Sequence, residues 1–512
     1  TLWDVGIETL EAHRRRGMPP LSSARSRPDG GIGREHVWGA GDKKVAYAFR
    51  ELKAIVGEKW CLESPRDLMA YSYDATPLYQ SAPDAVVLPG NTEELQAIMR
   101  VLYANRIPVV PRGSGSNLSA GTVPTSGGVV VPLNRLNQIR EVDHENLTAT
   151  VEPGVITAAF HKEVESLGLF YPPDPGSMII STLGGNVAEC SGGLRGLKYG
   201  VTKDYVVGLK AVLADGRLLE MGGKSAKDVA GYDLVKLFVG SEGTLGLITE
   251  ATMKLIPLPE TRRTMLALFP DLTGAARAVS RTIASRIIPA TLEFLDNPTI
   301  RVVEEFARIG LPVDAGALLL IQQDGPESLC ERDIARIASI CKEEGAFETR
   351  LAQTEAEENA LMAARRSALT ALARKKPTTV LEDATVPRAR LAEMVEQVNV
   401  IARKYSLDIC TFGHAGDGNL HPTCLTDERD HEEIERVEAA FAEIFDAAIK
   451  LGGTITGEHG VGEAKAGYLE WKVGSTGIEV MKSVKAAFDP HQILNPGKMF
   501  ARDTRRRVVV QK

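Results

Sequence analysis

The sequence predicts an α+β fold made of two main domains. Its 512 residues, 44% of them hydrophobic, are enough to build at least two cores. Up to Pro259, short strand-like runs alternate with short helices, and beyond it strand-like runs alternate with long helices. The first pattern indicates a mixed sheet with βαβ pieces rather than a regular doubly wound sheet. The second indicates an antiparallel sheet covered on one face by helices.

The elements of the first domain can be assigned in order. Asn91 or Thr92 is a suitable cap for an amphipathic helix that ends near Asn105, since Glu93 and Glu94 occupy its first turn. Asp-Gly at 215–216 predicts a tight hairpin turn between strands 209–214 and 218–221. The remaining predicted strands are Pro83–Pro89, Ile107–Pro111, Gly128–Pro132 and Leu147–Val151.

The second domain carries longer helices. Its predicted strands are Thr264–Phe269, Thr291–Leu295, Ala317–Gln322 and Val380–Ala384. Its predicted helices are Thr273–Ser285, Pro326–Glu344, Glu355–Ala373 and Pro387–Tyr405. These patterns divide the chain into an N-terminal extension (1–45), a first domain (46–259) and a second segment that begins at residue 260.

Composition and charge exclude several classes of protein. A net charge of −7 with only 5% aromatic residues argues against nucleic-acid binding. No apolar run reaches the roughly 20 residues of a transmembrane helix. The six cysteines form no CxxC pair, which argues against iron–sulfur clusters and cysteine-based zinc sites. We expect a cytoplasmic protein, or one held at the membrane periphery by a partner. The extension, with Arg14-Arg15-Arg16, is either a solvated tail or a docking arm.

Glycine-rich turns recur along the first domain. PRGSGSNL at 111–118 follows a predicted strand, and its small residues allow backbone N–H groups to surround an anion, with Arg112 adding charge. It lacks the GxGxxG pattern of a Rossmann site, and by itself a plain turn explains it equally well. The other turns are YPPDPGS at 171–177, STLGGNVA at 181–188, CSGG at 190–193 and VGSEGTLG at 239–246. Such a series suits a long, extended cofactor.

In order and spacing, these motifs resemble the FAD-binding domain of the vanillyl-alcohol-oxidase and para-cresol-methylhydroxylase (PCMH) superfamily. The branch they resemble contains the flavin-binding subunits of glycolate oxidases and the D-lactate dehydrogenases. The resemblance covers the chain apart from the extension. It implies that 46–259 is a PCMH-type FAD-binding domain, that 260–455 is a substrate, or cap, domain, and that 456–512 returns to the FAD domain. We expect noncovalent FAD, because the first loop has no histidine for a covalent link.

The resemblance also implies a set of FAD contacts. Residues 112–118 would hold the pyrophosphate, the later glycine turns would line the flavin and its ribityl chain, and ILNPGK at 493–498 would return to the flavin. The implied contacts are Arg112, Gly113, Ser114, Gly115, Ser116, Asn117, Leu118, Pro175, Gly176, Ser177, Ser181, Thr182, Gly185, Asn186, Ala188, Glu242, Gly243, Ile248 and Asn495.

A second group of motifs carries histidines. In GHAGDGNLH at 413–421, the Gly-Asp-Gly turn predicts that His414 and His421 face each other from two strands. With the Glu458 carboxylate of GEHG at 457–460, they form a common ligand set for a divalent metal such as Zn, Mn or Fe. The alternative is a pair of structural histidines, although glycine neighbours indicate close approach of a ligand.

The resemblance assigns roles to these motifs. It implies metal ligands at His414, His421 and Glu458, a general base at His459 and a substrate contact at Asn419. In LMAARRSAL at 361–369 it implies that Arg365 binds the substrate carboxylate, with Met362 where related chains commonly have Trp. From its residue type alone, Arg365 is equally an ordinary helix arginine.

The reaction implied by the resemblance is FAD-dependent oxidation of a small D-2-hydroxy acid, of lactate or glycolate type, to the 2-oxo acid. Because the chain has no cysteine cluster or CxxCH haem motif, the electrons must pass to an external acceptor, such as an iron–sulfur subunit or an electron-transferring flavoprotein. Three alternatives stay open: a flavin oxidase that uses oxygen, a metallohydrolase and a non-catalytic flavin subunit. A dicarboxylate substrate would need a further cation, for which Lys375, Lys376 and Arg388 are candidates.

Overall fold

The computed structural model of the protein describes residues 43–500. The predicted extension lies outside these residues except for its last three, which begin a helix, α1, at Lys43–Val56. Both interpretations of the extension, as a tail or as a docking arm, therefore concern residues outside the described part of the chain. The helices that follow in the first half are α2 Pro65–Met69, α3 Thr92–Asn105, α4 Thr157–Ser166, α5 Leu183–Glu189, α6 Gly196–Tyr199 and α7 Leu234–Phe238.

The first sheet has the strand order β1-β2-β4-β3. Its strands are β1 Cys61–Leu62, β2 Ala85–Val87, β3 Val109–Arg112 and β4 Val129–Pro132. β4 pairs in parallel with both β2 and β3, and α3 makes the crossover between β2 and β3 that parallel strands require. Asn91 caps α3 as predicted, since its side chain accepts a hydrogen bond from Glu94 N at 2.8 Å. Apolar residues of α1 and α3 pack on this sheet in one core.

The second sheet is antiparallel, with the order β5-β6-β10-β8-β9. Its strands are β5 Ile139–Asp143, β6 Thr148–Val151, β8 Val206–Val212, β9 Leu218–Gly222 and β10 Leu247–Lys254, and a separate pair is formed by β7 Leu169–Phe170 and β11 Ile256–Pro257. The predicted hairpin joins β8 to β9, with Gly216 at φ +84° where a left-handed residue is needed.

The third sheet is also antiparallel and has the order β15-β12-β14-β13-β18-β19-β16, with β17 paired to β19. Its strands are β12 Thr261–Phe269, β13 Thr291–Asp296, β14 Ala317–Gly325, β15 Glu348–Leu351, β16 Thr378–Leu381, β17 Ala384–Thr385, β18 Ile409–His414 and β19 Asn419–Thr426. The helices of this half are α8 Leu272–Ala284, α9 Asn297–Ala307, α10 Glu327–Glu343, α11 Glu355–Arg366, α12 Ala368–Leu372, α13 Leu391–Tyr405 and α14 His431–Lys450.

Alternate residues of this sheet face two cores. Met265 and Phe269 of β12 pack with α8, α10, α13 and α14, which cover one face. The prediction that helices cover only one face is wrong, because the other face is also covered. Leu266 and Leu268 of the same strand face the opposite side. There α9, α11 and α12 form a second, smaller helical layer, and the single helix predicted from 355 to 373 is divided between α11 and α12 at Ser367. The α+β fold class is confirmed.

The C-terminal segment lies against the first sheet. Helix α15, Leu469–Phe488, is interrupted at Gly474, where φ is +71°. Beyond it, Ile493 O accepts a hydrogen bond from Val109 N at 2.8 Å, and Asn495 N donates to Val109 O at 2.7 Å, so the segment follows β3. Among the helices of residues 43–500, none has both the length and the apolar character needed to cross a membrane.

A buried lysine holds this segment in place. Lys485 Nζ donates to Asp489 Oδ2 at 2.8 Å and to the carbonyl oxygens of Thr244 and Leu494, both at 3.0 Å. The carboxylate of Asp489 in turn accepts from Leu494 N at 2.8 Å. One cation therefore joins α15 to the loop before β10 and to the strand-like end.

Replacing Lys485 with Met should lower the free energy of unfolding by about 3–5 kcal/mol, because Asp489 would become a buried carboxylate without its cation. Chemical denaturation followed by circular dichroism measures the change. Lys482→Met, at an exposed position of the same helix, is the matched control and should change stability by less than about 0.5 kcal/mol. Equal stability of the two variants would contradict this role of Lys485.

Candidate active site

A cavity of about 900 Å³ extends from the glycine turns of the first two sheets to the third sheet. All of the residues predicted to contact FAD line it, from Arg112 to Asn495. So do His414, His421, Glu458, His459 and Arg365. Tertiary structure therefore brings the two groups of motifs, which lie far apart in the chain, around one space.

The first glycine loop follows β3 directly. Gly115 has φ +74°, a backbone conformation that favours glycine, and a Cβ atom there would overlap the guanidinium of Arg112. That guanidinium is buried under the loop, and its Nη1 donates to Tyr73 O at 2.8 Å and to Thr122 Oγ1 at 3.3 Å. Arg112 thus supports the loop from beneath and places a positive charge behind it.

The histidine hairpin is present as predicted. His414 ends β18, His421 lies on β19, and residues 415–418 form the turn between them. The two rings are perpendicular, with centroids 5.0 Å apart. Glu458 Oε1 lies 2.9 Å from His414 Nε2 and 3.3 Å from His421 Nε2. One ligand atom from each of the three residues lies within 4.8 Å of the others, a spacing that fits a single metal ion.

Glu293 is a residue that sequence reasoning missed. It lies on β13 and is fully buried. Its Oε1 is 2.7 Å from His414 Nδ1, and its Oε2 is 2.6 Å from Arg365 Nη2. The Arg365 guanidinium also lies over the ring of Phe412, 4.9 Å from its centroid. A glutamate within the apolar run TLEFLD was the available signal, because a charge on a buried strand requires a partner.

Asp383 holds the GEHG turn from behind and was also missed. Its Oδ2 accepts from Gly457 N at 2.6 Å, Glu458 N at 2.8 Å and His459 N at 3.3 Å. Its Oδ1 pairs with the buried Lys465 and lies 3.6 Å from His459 Nδ1. Burial opposes the charge on Asp383, but Lys465 and His459 together bring its pKa below the ordinary value. The carboxylate therefore fixes the direction of both Glu458 and His459.

The three histidines differ in their protonation. Burial opposes the charge of His414, yet Glu293 and Glu458 on its two sides raise its pKa well above the ordinary value. Burial lowers the pKa of His421 to about 3 and also lowers the pKa of His459, whose ring stacks on His421 at 5.1 Å. His459 is consequently neutral near pH 7, with a ring nitrogen able to accept a proton.

Several buried polar atoms of the cavity wall have no hydrogen-bond partner among residues 43–500. They include Arg365 Nε, Arg366 Nε, Glu189 Oε2, Asn495 Oδ1, His421 Nδ1 and His459 Nδ1. Arg366 Nη2 meets Asp174 Oδ2, of the PPDPGS motif, at 2.9 Å. Because unpaired buried polar atoms are costly, this wall fits a polar ligand that both accepts and donates hydrogen bonds.

Four other predicted residues lie away from the cavity wall. Lys375 pairs with Glu305, Lys376 donates to Leu425 O at 3.0 Å, and neither these lysines nor Arg388 lines the cavity. The side chain of Asn419 accepts from Thr385 Oγ1 at 2.9 Å and lies beneath Gly457. Its role as a substrate contact stays a prediction.

Comparisons with known proteins agree with this arrangement. Residues 83–222 match the family described as "FAD binding domain", and residues 258–499 match "FAD linked oxidases, C-terminal domain". Glycolate oxidase subunit GlcD of Bacillus subtilis is 64% identical over 444 residues, covering 87% of this chain and 94% of that protein. A D-lactate dehydrogenase of Anaerostipes hadrus is 35% identical over 442 residues, 84% of this chain and 92% of that protein. The solved structure of p-cresol methylhydroxylase with substrate bound shares the fold, with TM-score 0.75, 18% identity, and coverage of 90% and 98% of the two chains.

Gly460→Ala should distort the GEHG turn. Gly460 has φ +79°, and a Cβ there would overlap Glu189 Oε2 and lie 3.1 Å from Glu242 Oε1. The left-handed backbone alone costs roughly 1–2 kcal/mol for alanine. We expect lower stability and a lower flavin content, measured by thermal unfolding and by the absorbance ratio of flavin to protein. Gly467→Ala, with nothing within 4 Å of its added Cβ, is the control, and equal effects of the two changes would contradict the prediction.

Proposed function

The chain belongs to the family of FAD-linked oxidases that includes glycolate oxidase subunits and D-lactate dehydrogenases, and from this we propose that it oxidises a small D-2-hydroxy acid to the 2-oxo acid. It is an FAD-linked oxidoreductase of the glycolate and D-lactate type. The observation that carries the proposal is the common cavity, in which the glycine turns face Arg365, His459 and the three candidate metal ligands. A metallohydrolase would leave the FAD-binding domain without a use.

FAD fits the cavity by its size and by the unpartnered atoms of the wall. When bound, FAD accepts the hydrogen and the electron pair that leave the alcohol carbon. We propose that the glycine loops hold its phosphates and its ring through the residues predicted above. We further propose that 46–259 together with 456–512 form the FAD domain and that 260–455 forms the substrate domain, supported by the return of the C-terminal segment to β3.

Arg365 is suited to bind the substrate carboxylate. Its guanidinium is held between Glu293 and the Phe412 ring, so its direction is set before substrate arrives. Its buried Nε, with no partner in the described chain, remains available to an anion at the cavity wall. A charge-assisted hydrogen bond there would fix which face of the alcohol carbon points along the cavity.

His459 is suited to accept the hydroxyl proton. It lines the cavity, and Asp383 holds both its backbone N–H and the neighbouring residue. A nearby carboxylate stabilises the imidazolium that forms when the proton arrives, as general base catalysis requires. Loss of the hydroxyl proton raises the electron density on the alcohol carbon and so favours departure of its hydrogen with both electrons.

We propose that His414, His421 and Glu458 hold a divalent metal, of the Zn, Mn or Fe class. Two imidazoles and a carboxylate are a suitable donor set, and three protein ligands leave positions open for substrate. When bound, such an ion would polarise the substrate hydroxyl as a Lewis acid. Glu293 supports this set by accepting from the other ring nitrogen of His414, which fixes the orientation of the ring.

We propose that the electrons pass to an acceptor outside this chain. All six cysteines, which lie within the described residues, are free, and they form no cluster that could carry electrons. Because curated relatives are named as subunits, we propose an external acceptor such as an iron–sulfur subunit or an electron-transferring flavoprotein. A cytoplasmic location, at the membrane periphery where that partner is membrane-bound, is consistent with this proposal.

Anaerobic mixing with D-lactate, L-lactate, glycolate and D-2-hydroxyglutarate tests the function by following the loss of flavin absorbance. We expect at least one D-2-hydroxy acid, or glycolate, to bleach the wild-type flavin. His459→Ala should retain FAD and slow flavin reduction by about 10²–10⁴-fold, the range for a lost general base.

His431→Ala, an exposed histidine at the start of α14, is the matched control and should reduce flavin at the wild-type rate. Full activity of His459→Ala would remove the base assignment. Stable flavin absorbance with every acid would support a non-catalytic role for the chain. Stoichiometric peroxide formation in air without an added acceptor would support the oxidase alternative.

Metal removal should abolish turnover, and added Zn²⁺, Mn²⁺ or Fe²⁺ should restore it. Glu293→Gln should weaken metal binding roughly 10–100-fold, because it disturbs the partner of His414. The rate of turnover before and after dialysis against a chelator checks the effect of metal removal. The metal content of the dialysed variants, measured by mass spectrometry of the ion, checks the effect of Glu293→Gln. Glu305→Gln, at an exposed pair with Lys375, is the control. A metal-free protein with undiminished activity would contradict the metal proposal.

A further inference from the structure

Glu189 is an acidic residue of the cavity wall to which neither the motifs nor the reaction assigns a role. It is the last residue of α5 and lines the cavity. Its Oε2 is buried and has no hydrogen-bond partner among residues 43–500. An unpaired buried carboxyl oxygen beside a cavity indicates that a ligand supplies the missing partner.

Glu189 lies beside a second carboxyl group that is already occupied. Glu242 accepts hydrogen bonds from Val461 N at 2.7 Å and Gly462 N at 2.6 Å, so it acts only as an acceptor there. Oxygen atoms of both glutamates lie close to the position that a Cβ on Gly460 would take. Two carboxyl groups this close cannot both carry a charge at low cost, and the one without N–H donors is the one that retains a proton.

Burial and the neighbouring acids together outweigh the effect of the nearby lysine on the pKa of Glu189. Burial raises its pKa well above the ordinary value, and Glu242 and Asp74 add to the shift, while Lys465 opposes it. The ammonium of Lys465, however, is engaged with Asp383, and that of Lys498 is engaged with Glu463 at 2.6 Å. Neither lysine is therefore free to compensate a Glu189 carboxylate. Asp74, the other neighbouring acid, accepts a hydrogen bond from Thr122 N at 3.2 Å.

Glu189 lies beside the GEHG turn, which carries the proposed general base. Gly460, whose missing Cβ leaves room for the Glu189 carboxyl, directly follows His459. Under the proposed function, His459 would accept the proton of the hydroxyl group on the same carbon whose hydrogen passes to the flavin. A flavin ring that receives that hydrogen would lie within the length of one small molecule from His459, and Glu189 is a residue of the cavity wall close to the same turn.

We infer that the Glu189 carboxyl group donates a hydrogen bond to the ring system of bound FAD and thereby makes the flavin easier to reduce. The inference rests on the proposed function, which brings the ring to this part of the cavity. Two-electron reduction places additional electron density on the nitrogen and oxygen atoms of the ring. A fixed donor in a site of low dielectric constant stabilises that density more than water would. Glu189 keeps its proton and acts as a positioning and tuning residue, not as a reactant.

The reduction potential of the bound flavin tests the inference without any substrate. FAD-loaded full-length wild type, Glu189→Gln and Glu189→Ala are each equilibrated anaerobically with a redox dye. Glutamine keeps a neutral donor of the same size, so the ratio of oxidised to reduced flavin in Glu189→Gln should stay within tenfold of the wild-type ratio. Alanine removes the donor and should shift the ratio toward oxidised flavin by at least tenfold, about 30 mV for a two-electron couple.

Two outcomes of this titration overturn the inference. An alanine variant that loads FAD and keeps the wild-type potential shows that Glu189 does not affect the ring. A glutamine variant whose flavin becomes tenfold or more easier to reduce shows that Glu189 is an anion that opposes reduction. Asp333→Ala, which removes a buried carboxyl group from α10 outside the cavity wall, is the control and should leave the potential unchanged.

Infrared difference spectra test the inference even if the Glu189→Ala variant does not bind FAD. The oxidised-minus-reduced spectrum of wild type should contain a protonated-carboxyl C=O band that shifts with the flavin state and is absent from Glu189→Gln. Absence of such a band in wild type overturns the inference. These measurements use no hydroxy acid, so a wild-type flavin with the expected band that no hydroxy acid reduces would defeat the proposed function alone.

Discussion

The site depends on the pairing of buried carboxylates with cationic side chains and N–H donors. Glu293 is placed in the sheet with no access to water, and it is tolerated because His414 and Arg365 both pair with it. Asp383 meets the same requirement with three backbone N–H groups and Lys465. Each acid therefore fixes the direction of a group that faces the cavity. A substitution that removes one partner would leave a buried charge, so it would change both the stability of the fold and the direction of the site residues.

The second organising feature is the closeness of backbone segments around the cavity. Glycines at 115 and 460 have positive φ, and a side chain at either one would overlap a buried polar group. Omission of Cβ atoms leaves the space in which Arg112 and Glu189 lie. The absence of a side chain at these positions thus admits a buried polar group from behind the glycine motifs.

Charge is distributed unevenly along the cavity. Arg112 lies under the first glycine loop, and Arg365 and Arg366 line the cavity, each paired on one side with an acid of the protein. Acids dominate the wall near His459, where Glu189, Glu242 and Glu458 meet the GEHG turn. The arginines of this wall attract anionic ligands. The acids near His459 require a proton or a cation. This requirement is consistent with the proposed metal and with the role inferred for Glu189.

Sequence by itself determined the elements whose signals are local: the Asn91 cap, the Asp-Gly hairpin, the β18–β19 turn and the glycine motifs, because capping and turn chemistry act over a few residues. Motif resemblance added the family, the FAD site and the candidate ligands. Only tertiary structure decided that Glu293, Asp383 and Glu189 reach the site, that Asn419 lies behind its wall, and that Arg366, rather than Lys375, Lys376 or Arg388, is a cation of the cavity. The reason is physical: the partner of a buried charge is chosen by through-space distance between strands far apart in the chain, and local residue patterns carry no record of that distance.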